Sequence, residues 1–167
     1  MYKKAKEENN NNPTVEVVGT LFDLLSGREA PVKYEDPGNP IVTVQINGHS
    51  FPNVLVDLGV EINILTIATC QKLSITSLDP TTTLLELANR SVIKPEGTVQ
   101  DVMVSVDSLE YLAEFLIINP RNRLEGHPLI LGRPWLATTD AYINYRTGSM
   151  TITRGTNVKN LALYPPI

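Results

Sequence analysis

The sequence predicts a mainly β domain, because short apolar segments recur along it and tight-turn residues separate them. Residues Ile41 to Ile46 alternate apolar and polar side chains, and the following Asn47-Gly48 pair is the strongest short signal for a hairpin turn. A returning strand is expected over Phe51 to Val56. Two other segments suit short helices, Ile67 to Leu73 and Pro134 to Thr138, the second with proline near its first turn.

The remaining predicted strands form three further hairpins and two single segments. Turn residues mark the hairpins at Asn89-Arg90, Asp107-Ser108 and Thr147-Gly148. The single strands are expected over Ile62 to Leu65 and Leu129 to Leu131. The paired segments are, in chain order, 84–88 with 91–93, 102–106 with 111–118, and 141–145 with 149–153.

The composition is that of a soluble globular protein, with 42% apolar and 19% charged residues in a chain of 167. The net charge of -4 argues against nucleic acid as a partner, since phosphate binding requires clustered Lys and Arg. No apolar run approaches the roughly 20 residues that span a bilayer, so no membrane partner is expected. Cys70 is the one cysteine, which excludes an internal disulfide and agrees with an intracellular, cytoplasmic location.

The chain divides into three parts by composition. Residues 1–40 are expected to be a flexible arm and linker, charged and Asn-rich at first and Pro-rich at the end, with a weak helical pattern over 15–25. Residues 41–155 are predicted to be the folded domain, and 156–167 a C-terminal tail.

A faint internal repeat is present within the predicted domain. Each copy contains a hairpin followed by an apolar strand that runs into a turn with glycine, and then a helix. The two turns are Val54 to Gly59 and Leu129 to Gly132. Glycine at such a place allows two backbones to approach closely or permits a positive φ. Chance similarity between short hairpins is the alternative explanation.

Asp57 is the strongest single candidate for chemistry. It ends the apolar strand Val54-Leu55-Val56, and its sequence neighbours include no cation. We therefore expect a partly buried carboxyl, whose charged form burial disfavours, and such carboxyls are candidates for catalysis. The alternative is that Asp57 accepts backbone N–H bonds in a turn.

Other kinds of chemistry are poorly supported. Cys70 lies in the apolar pattern of a predicted helix, which favours a buried structural thiol over a nucleophile. Two histidines and one cysteine, widely spaced, do not make a zinc site, and no Gly-rich phosphate loop is present. We expect no metal and no cofactor.

Three segments together resemble one protein family. They are VLVDLGVEINIL over 54–65, LANRSVIKPEG over 87–97, and HPLILGRPWLATTDAYINYRTGSMTI over 127–152. In order and spacing they resemble the catalytic loop, the flap hairpin and the second signature of retropepsin-like aspartic protease domains in plant retrotransposon polyproteins of the gag-pol type. The resemblance covers roughly residues 41 to 153.

The resemblance implies a fold and an activity. The fold would be a closed β-barrel-like structure with one or two short helices. The activity would be that of an aspartic endopeptidase, which hydrolyses peptide bonds with a water molecule and processes a retroelement polyprotein. One chain would supply one catalytic aspartate, so a homodimer would be needed, and its other partner would be an extended polypeptide substrate.

The resemblance also implies roles for individual residues. Asp57 would be catalytic, in an active-site loop with Leu58, Gly59 and Val60. Leu131 and Gly132 would belong to the second signature. Glu61 and Arg133 would form a structural ion pair behind the loop, as equivalent residues do in retroviral members. The flap that closes over substrate would include Asn89, Arg90, Ser91 and Val92.

Two residues keep alternatives open. Leu58 stands where most aspartic proteases have Thr or Ser, and Val60 stands in place of a smaller Ala or Ser. A catalytically inactive dimerisation or peptide-binding module with the same fold is therefore a second interpretation. A third is a structural fragment whose protease step occurs only within a larger polyprotein.

Overall fold

The computed structural model describes residues 31–119 and 126–163. The weak helical pattern over 15–25 lies outside these residues. The chain divides into two compact units, residues 1–38 and 39–167, and residues 31–38 of the first unit form no helix or strand. In the described part of the chain, no helix is both long and apolar enough to cross a membrane.

The second unit is mainly β, as the sequence predicts. Within its described residues, the strands are short to medium in length and the two helices have six residues each. In chain order the elements are β1 (Ile41–Ile46), β2 (His49–Val56), β3 (Ile64–Thr66), α1 (Ile67–Lys72), β4 (Leu85–Glu86), β5 (Val92–Ile93), β6 (Gly97–Val106), β7 (Leu109–Ile118), β8 (Leu129–Leu131), α2 (Arg133–Thr138), β9 (Tyr142–Asn144), β10 (Ser149–Arg154) and β11 (Asn157–Ala162).

Six strands form a closed barrel in the order β1-β2-β8-β3-β7-β6, which confirms the predicted barrel-like fold. The pairing of Gln45 with Ser105 closes the barrel between β1 and β6. Strand β8 lies between β2, to which it is parallel, and β3, to which it is antiparallel. The loop that leaves β2 and the turn that leaves β8 therefore lie side by side, although more than 60 residues of sequence separate them.

Turn chemistry explains the hairpins. Asn47 and Gly48 have φ values of 49° and 76°, in the left-handed region that these two residue types adopt most readily. Asp107 and Ser108 make the same kind of turn between β6 and β7, with φ values of 47° and 69°. Helix α1 begins where the Thr69 amide donates to the Thr66 hydroxyl at 3.2 Å, a side-chain cap.

Alternation along the strands builds one large core and one small cluster. Val102, Val104 and Val106 of β6 face the main core, together with the odd-numbered residues of β7. The small cluster, called the second cluster below, lies on the other face of the barrel wall. Its buried members are Ile64, Leu116, Ile118 and Ile130. Each such side chain contributes about 1.5–3 kcal/mol when fully buried.

Several strand boundaries differ from the sequence prediction, most of all in β6, which begins at Gly97 rather than at residue 102. The strand expected over 62–65 begins only at Ile64, because Asn63 directs its side chain into hydrogen bonds with neighbouring segments. Residues 157–162, expected in a C-terminal tail, form β11 and pair with six residues of β10. Gly155, with φ of 61°, makes the turn that returns the chain.

The strand β11 is anchored by the residue that follows it. Leu163 is 0% exposed and belongs to the main core. Its amide donates to the Gly148 carbonyl at 2.8 Å, and its carbonyl accepts from the Ile41 amide at 2.9 Å. The three-stranded sheet β11-β10-β9 is therefore tied to the first barrel strand.

Replacement of Leu163 tests whether this last strand is part of the folded domain. Leu163→Ala should lower the free energy of unfolding by about 2–5 kcal/mol, because it leaves a cavity in the core. The matched control is Leu84→Ala, since Leu84 is 62% exposed; this change should stay within about 0.5 kcal/mol. Denaturant unfolding measures both, and equal values would show that Leu163 is not anchored as described.

Candidate active site

Asp57 lies at the end of β2, in a loop that continues to Asn63 and is called the Asp57 loop below. The Asp57 amide donates to the Leu131 carbonyl of β8 at 3.0 Å. Its Oδ1 accepts from the Gly59 amide at 2.9 Å, and its carbonyl accepts from the Val60 amide at 3.3 Å. Asp57 thus accepts backbone N–H bonds in a turn, the alternative that its sequence position also allows. The side chain is nevertheless only partly buried, so it remains accessible for chemistry.

The turn between β8 and α2 passes directly against the Asp57 loop. The Arg133 amide donates to the Val60 carbonyl at 2.9 Å. A Cβ atom placed on Gly132 would lie 2.3 Å from the Ile62 carbonyl oxygen and 2.6 Å from that of Val60. Steric exclusion of any side chain therefore explains the glycine of the second signature.

Glu61 and Arg133 come together as expected, but in solvent. Arg133 Nη2 lies 3.7 Å from Glu61 Oε2, and the two side chains are 56% and 84% exposed, respectively. An exposed pair of this kind contributes less than about 1 kcal/mol. Arg133 also donates through Nη1 to the Leu58 carbonyl at 3.3 Å. The loop is thus held mainly by hydrogen bonds to its backbone rather than by the charge pair.

Leu58 and Val60 face different surroundings. Leu58 is 43% exposed, a large apolar side chain in solvent beside Asp57. Val60 is half-buried and packs against the second cluster together with Ile62.

The predicted flap is a two-stranded hairpin of β4 and β5. The Arg90 amide donates to the Leu87 carbonyl at 2.8 Å, and Asn89 Oδ1 accepts from the Ser91 amide at 3.0 Å. Asn89, Arg90, Ser91 and Val92 are all exposed.

The base of this hairpin shares an apolar contact region with the Asp57 loop. Leu85 and Ile93 are partly buried against the second cluster, as are Val60 and Ile62. The flap hairpin and the Asp57 loop therefore pack against one apolar cluster.

Asn63 is the residue that sequence reasoning missed. Its side chain is buried, with 3% of the residue exposed, and it makes hydrogen bonds at both ends of the amide group. The available signal was a polar residue inside the apolar run Ile62 to Leu65. The apolar pattern of that run predicts only a strand.

No competing chemistry is apparent in the parts of the chain that the structure describes. Within these residues, no three His, Cys, Asp or Glu side chains come together as a metal site would require. Cys70 is buried, its thiol lies 3.5 Å from the Ile75 carbonyl, and burial raises the pKa of this thiol. A protonated, buried thiol is a structural group rather than a nucleophile.

Comparison with solved structures identifies the fold. The retroviral protease-like domain of Ddi1 from Leishmania major matches with a TM-score of 0.56 and 18% identity, over 74% of this chain and 94% of that one. EIAV protease, in complex with the inhibitor HBY-793, matches with a TM-score of 0.53 and 21% identity, over 66% of this chain and 97% of that one. No protein-family model and no curated protein sequence matches. The chain thus has a retropepsin-like fold.

The tight contact at Gly132 has a direct test. Gly132→Ala should lower the free energy of unfolding by about 3 kcal/mol, because the new methyl group meets two backbone carbonyls that cannot move independently. The matched control is Gly155→Asn. A Cβ at Gly155 has no neighbour within 4 Å, and Asn tolerates its positive φ.

Both variants are compared with the wild type by denaturant unfolding. The control should change stability by less than about 1 kcal/mol. A Gly132→Ala protein as stable as the control would mean that the β8–α2 turn does not lie against the Asp57 loop.

Proposed function

We propose that this chain is an aspartic endopeptidase that is active as a homodimer, with Asp57 of each subunit in one catalytic dyad. The observation that carries the proposal is the position of Asp57. It ends a barrel strand of a retropepsin-like fold, and its amide is bonded to Leu131 of the neighbouring strand. The partly exposed carboxyl lies beside the exposed Leu58 and Gly59, which leaves room for a second carboxyl.

The need for two copies follows from a count of carboxylates. Asp57-Leu58-Gly59 is the one Asp-x-Gly triplet between residues 41 and 163. At the corresponding place after β8, the repeat has Gly132 and Arg133, with no carboxylate. A second copy related by a two-fold axis would supply the missing group through an isologous contact.

The chemistry of the dyad requires no covalent intermediate. Two carboxyls about 3 Å apart cannot both be ionised, so they share one proton. The ionised carboxyl takes a proton from water as the water oxygen bonds to the peptide carbon, and the protonated carboxyl donates to the carbonyl oxygen. The carboxyl that took the water proton then gives it to the amine nitrogen as the C–N bond of the resulting tetrahedral diol breaks. The other carboxyl takes a proton back from a diol hydroxyl, which becomes the carbonyl oxygen of the product acid and restores the dyad.

The substrate we propose is an extended polypeptide. Val60 and Ile62 of the Asp57 loop and Leu85 and Ile93 of the flap hairpin are only partly buried where they pack against the second cluster. In this proposal their exposed parts form an apolar surface for substrate. An extended peptide can place alternate side chains on such a surface while its backbone pairs with strand edges. The exposed flap hairpin could close over it and exclude water.

The biological setting is part of the same proposal. The resemblance of three segments to retrotransposon proteases supports a retroelement polyprotein as substrate. An intracellular, cytoplasmic location is compatible with a single, buried free thiol.

Replacement of the catalytic carboxyl tests the proposed activity. Asp57→Asn should lower cleavage of a peptide library at mildly acidic pH by at least about a hundredfold, because an amide can neither accept nor donate the required proton. The matched control is Asp107→Asn in the exposed β6–β7 turn, where φ is 47° and Asn is well tolerated. The control should cleave like the wild type. Equal cleavage by Asp57→Asn would exclude Asp57 as the catalytic residue.

The homodimer has its own test, based on Leu58. If two Asp57 loops meet, the exposed Leu58 side chains lie near the two-fold axis and pack across it. Leu58→Asp would place like charges there, so the dissociation constant of the dimer should rise by more than about a hundredfold. Sedimentation across concentration measures this constant.

The control for that experiment is Val158→Asp. Val158 is also well exposed, at 61%, but lies in β11 of the three-stranded sheet, away from the Asp57 loop. This control substitution should leave the dissociation constant of the dimer unchanged. Specific activity of the wild type should also rise with concentration until the dimer is saturated, whereas a monomer of constant specific activity would contradict the proposal.

A second candidate function is a peptide-binding or dimerisation module without catalysis. Leu58 and Val60 favour it, because both are bulkier than the residues that most aspartic proteases have at these positions. This module would bind extended peptides with no turnover. Cleavage that a transition-state analogue of aspartic proteases blocks would exclude it.

A further inference from the structure

We infer that Asn63 is a positioning residue for the Asp57 loop, acting through its side-chain amide on the β8–α2 turn. The expected effect on kcat rests on the proposed function. The structural basis of the inference is independent of that function, because it consists of hydrogen bonds between three segments that are far apart in sequence.

The amide of Asn63 bridges two backbones. Its Oδ1 accepts from the Gly132 amide at 2.9 Å, and its Nδ2 donates to the Glu114 carbonyl of β7 at 3.1 Å. The backbone carbonyl of Asn63 also accepts from the Leu116 amide at 2.9 Å. One residue thus ties the end of the Asp57 loop to β7 and to the turn after β8.

The orientation of the amide follows from its partners. A backbone N–H can only donate, and a backbone carbonyl can only accept, so Oδ1 must face Gly132 and Nδ2 must face Glu114. The asparagine side chain has one acceptor oxygen and one donor nitrogen, and it is long enough for the two atoms to reach these partners. Aspartate would set a carboxylate oxygen against the Glu114 carbonyl, and leucine would leave both backbone groups without this partner.

The bridge reaches Asp57 through the β8–α2 turn. The residue after Gly132 is Arg133, whose amide donates to the Val60 carbonyl. The residue before it is Leu131, whose carbonyl accepts from the Asp57 amide. Residues 131–133 thus contact the Asp57 loop through three hydrogen bonds. Loss of the bond between the Gly132 amide and Asn63 Oδ1 removes the middle one. The expected result is a shift of Asp57 relative to its symmetry copy, and a misplacement of about 1 Å can cost a hundredfold in rate.

The experiment compares Asn63→Leu and Asn63→Asp with the wild-type dimer on a peptide that the wild type cleaves. Protein concentration is kept where sedimentation shows every variant to be fully dimeric. Asn63→Leu should lower kcat about a hundredfold, with KM within a few-fold of wild type, because the apolar substrate surface is unchanged. Asn63→Asp keeps the acceptor for Gly132 and should lose less.

A stability control separates positioning from general destabilisation. Val104→Ala removes buried side-chain volume in β6, at a residue that is 0% exposed and far in sequence from the loop. It should lower unfolding stability while kcat stays at the wild-type value. If Asn63→Leu also keeps the wild-type kcat, or if Val104→Ala loses as much kcat as Asn63→Leu, the inference is overturned.

Amide hydrogen exchange provides a readout that does not need catalysis. In Asn63→Leu, exchange at Gly132 and Val60 should be faster by about tenfold, the equivalent of one hydrogen bond, with β10 unchanged. A wild-type protein with no turnover would overturn the proposed function. Even then, unchanged exchange at Gly132 would overturn the bridge, and faster exchange confined to the loop and the β8–α2 turn would support it.

Discussion

The contact between the Asp57 loop and the β8–α2 turn is the constraint on which the rest of this site depends. The two backbones lie so close that a methyl group on Gly132 would overlap the carbonyl oxygens of Val60 and Ile62. At that distance backbone hydrogen bonds can form directly between the segments, and they do, at Val60 and at Asp57. Residues 57–63 form no helix or strand, so these bonds to the end of β8 and the start of α2 hold the Asp57 loop where no strand ladder does.

Hydrophobic packing and hydrogen bonds contribute differently to the structure around this contact. The main core stabilises the barrel and holds β2 and β8 parallel to each other. The second cluster lies outside that core and gives the Asp57 loop and the flap hairpin a common apolar boundary. Hydrogen bonds determine the conformation of the Asp57 loop, since apolar contacts are not directional enough to orient a carboxyl. Glu61 and Arg133 add little to this, because solvent screens their charges.

The proposed dyad explains why so incomplete a site is held by so many hydrogen bonds to its backbone. One carboxyl beside an exposed leucine performs no acid-base chemistry of the aspartic protease kind by itself. Held in a fixed position, it can meet a second copy with little further ordering, which lowers the entropic cost of assembly. In this proposal the interior of each subunit positions half of a site, and the surface at Leu58 determines whether two halves join.

Local sequence determined most of the elements and the main candidate residue. Alternation predicted the strands, Asn47-Gly48 and Asp107-Ser108 predicted their hairpins, and the apolar strand before Asp57 singled out that carboxyl. Tertiary structure alone decided that β8 lies between β2 and β3, and that Asn63 joins Glu114 to Gly132. The physical reason is distance along the chain. Periodicity and turn propensity act within about ten residues, whereas Asn63 and Gly132 are 69 residues apart and meet only once the barrel closes.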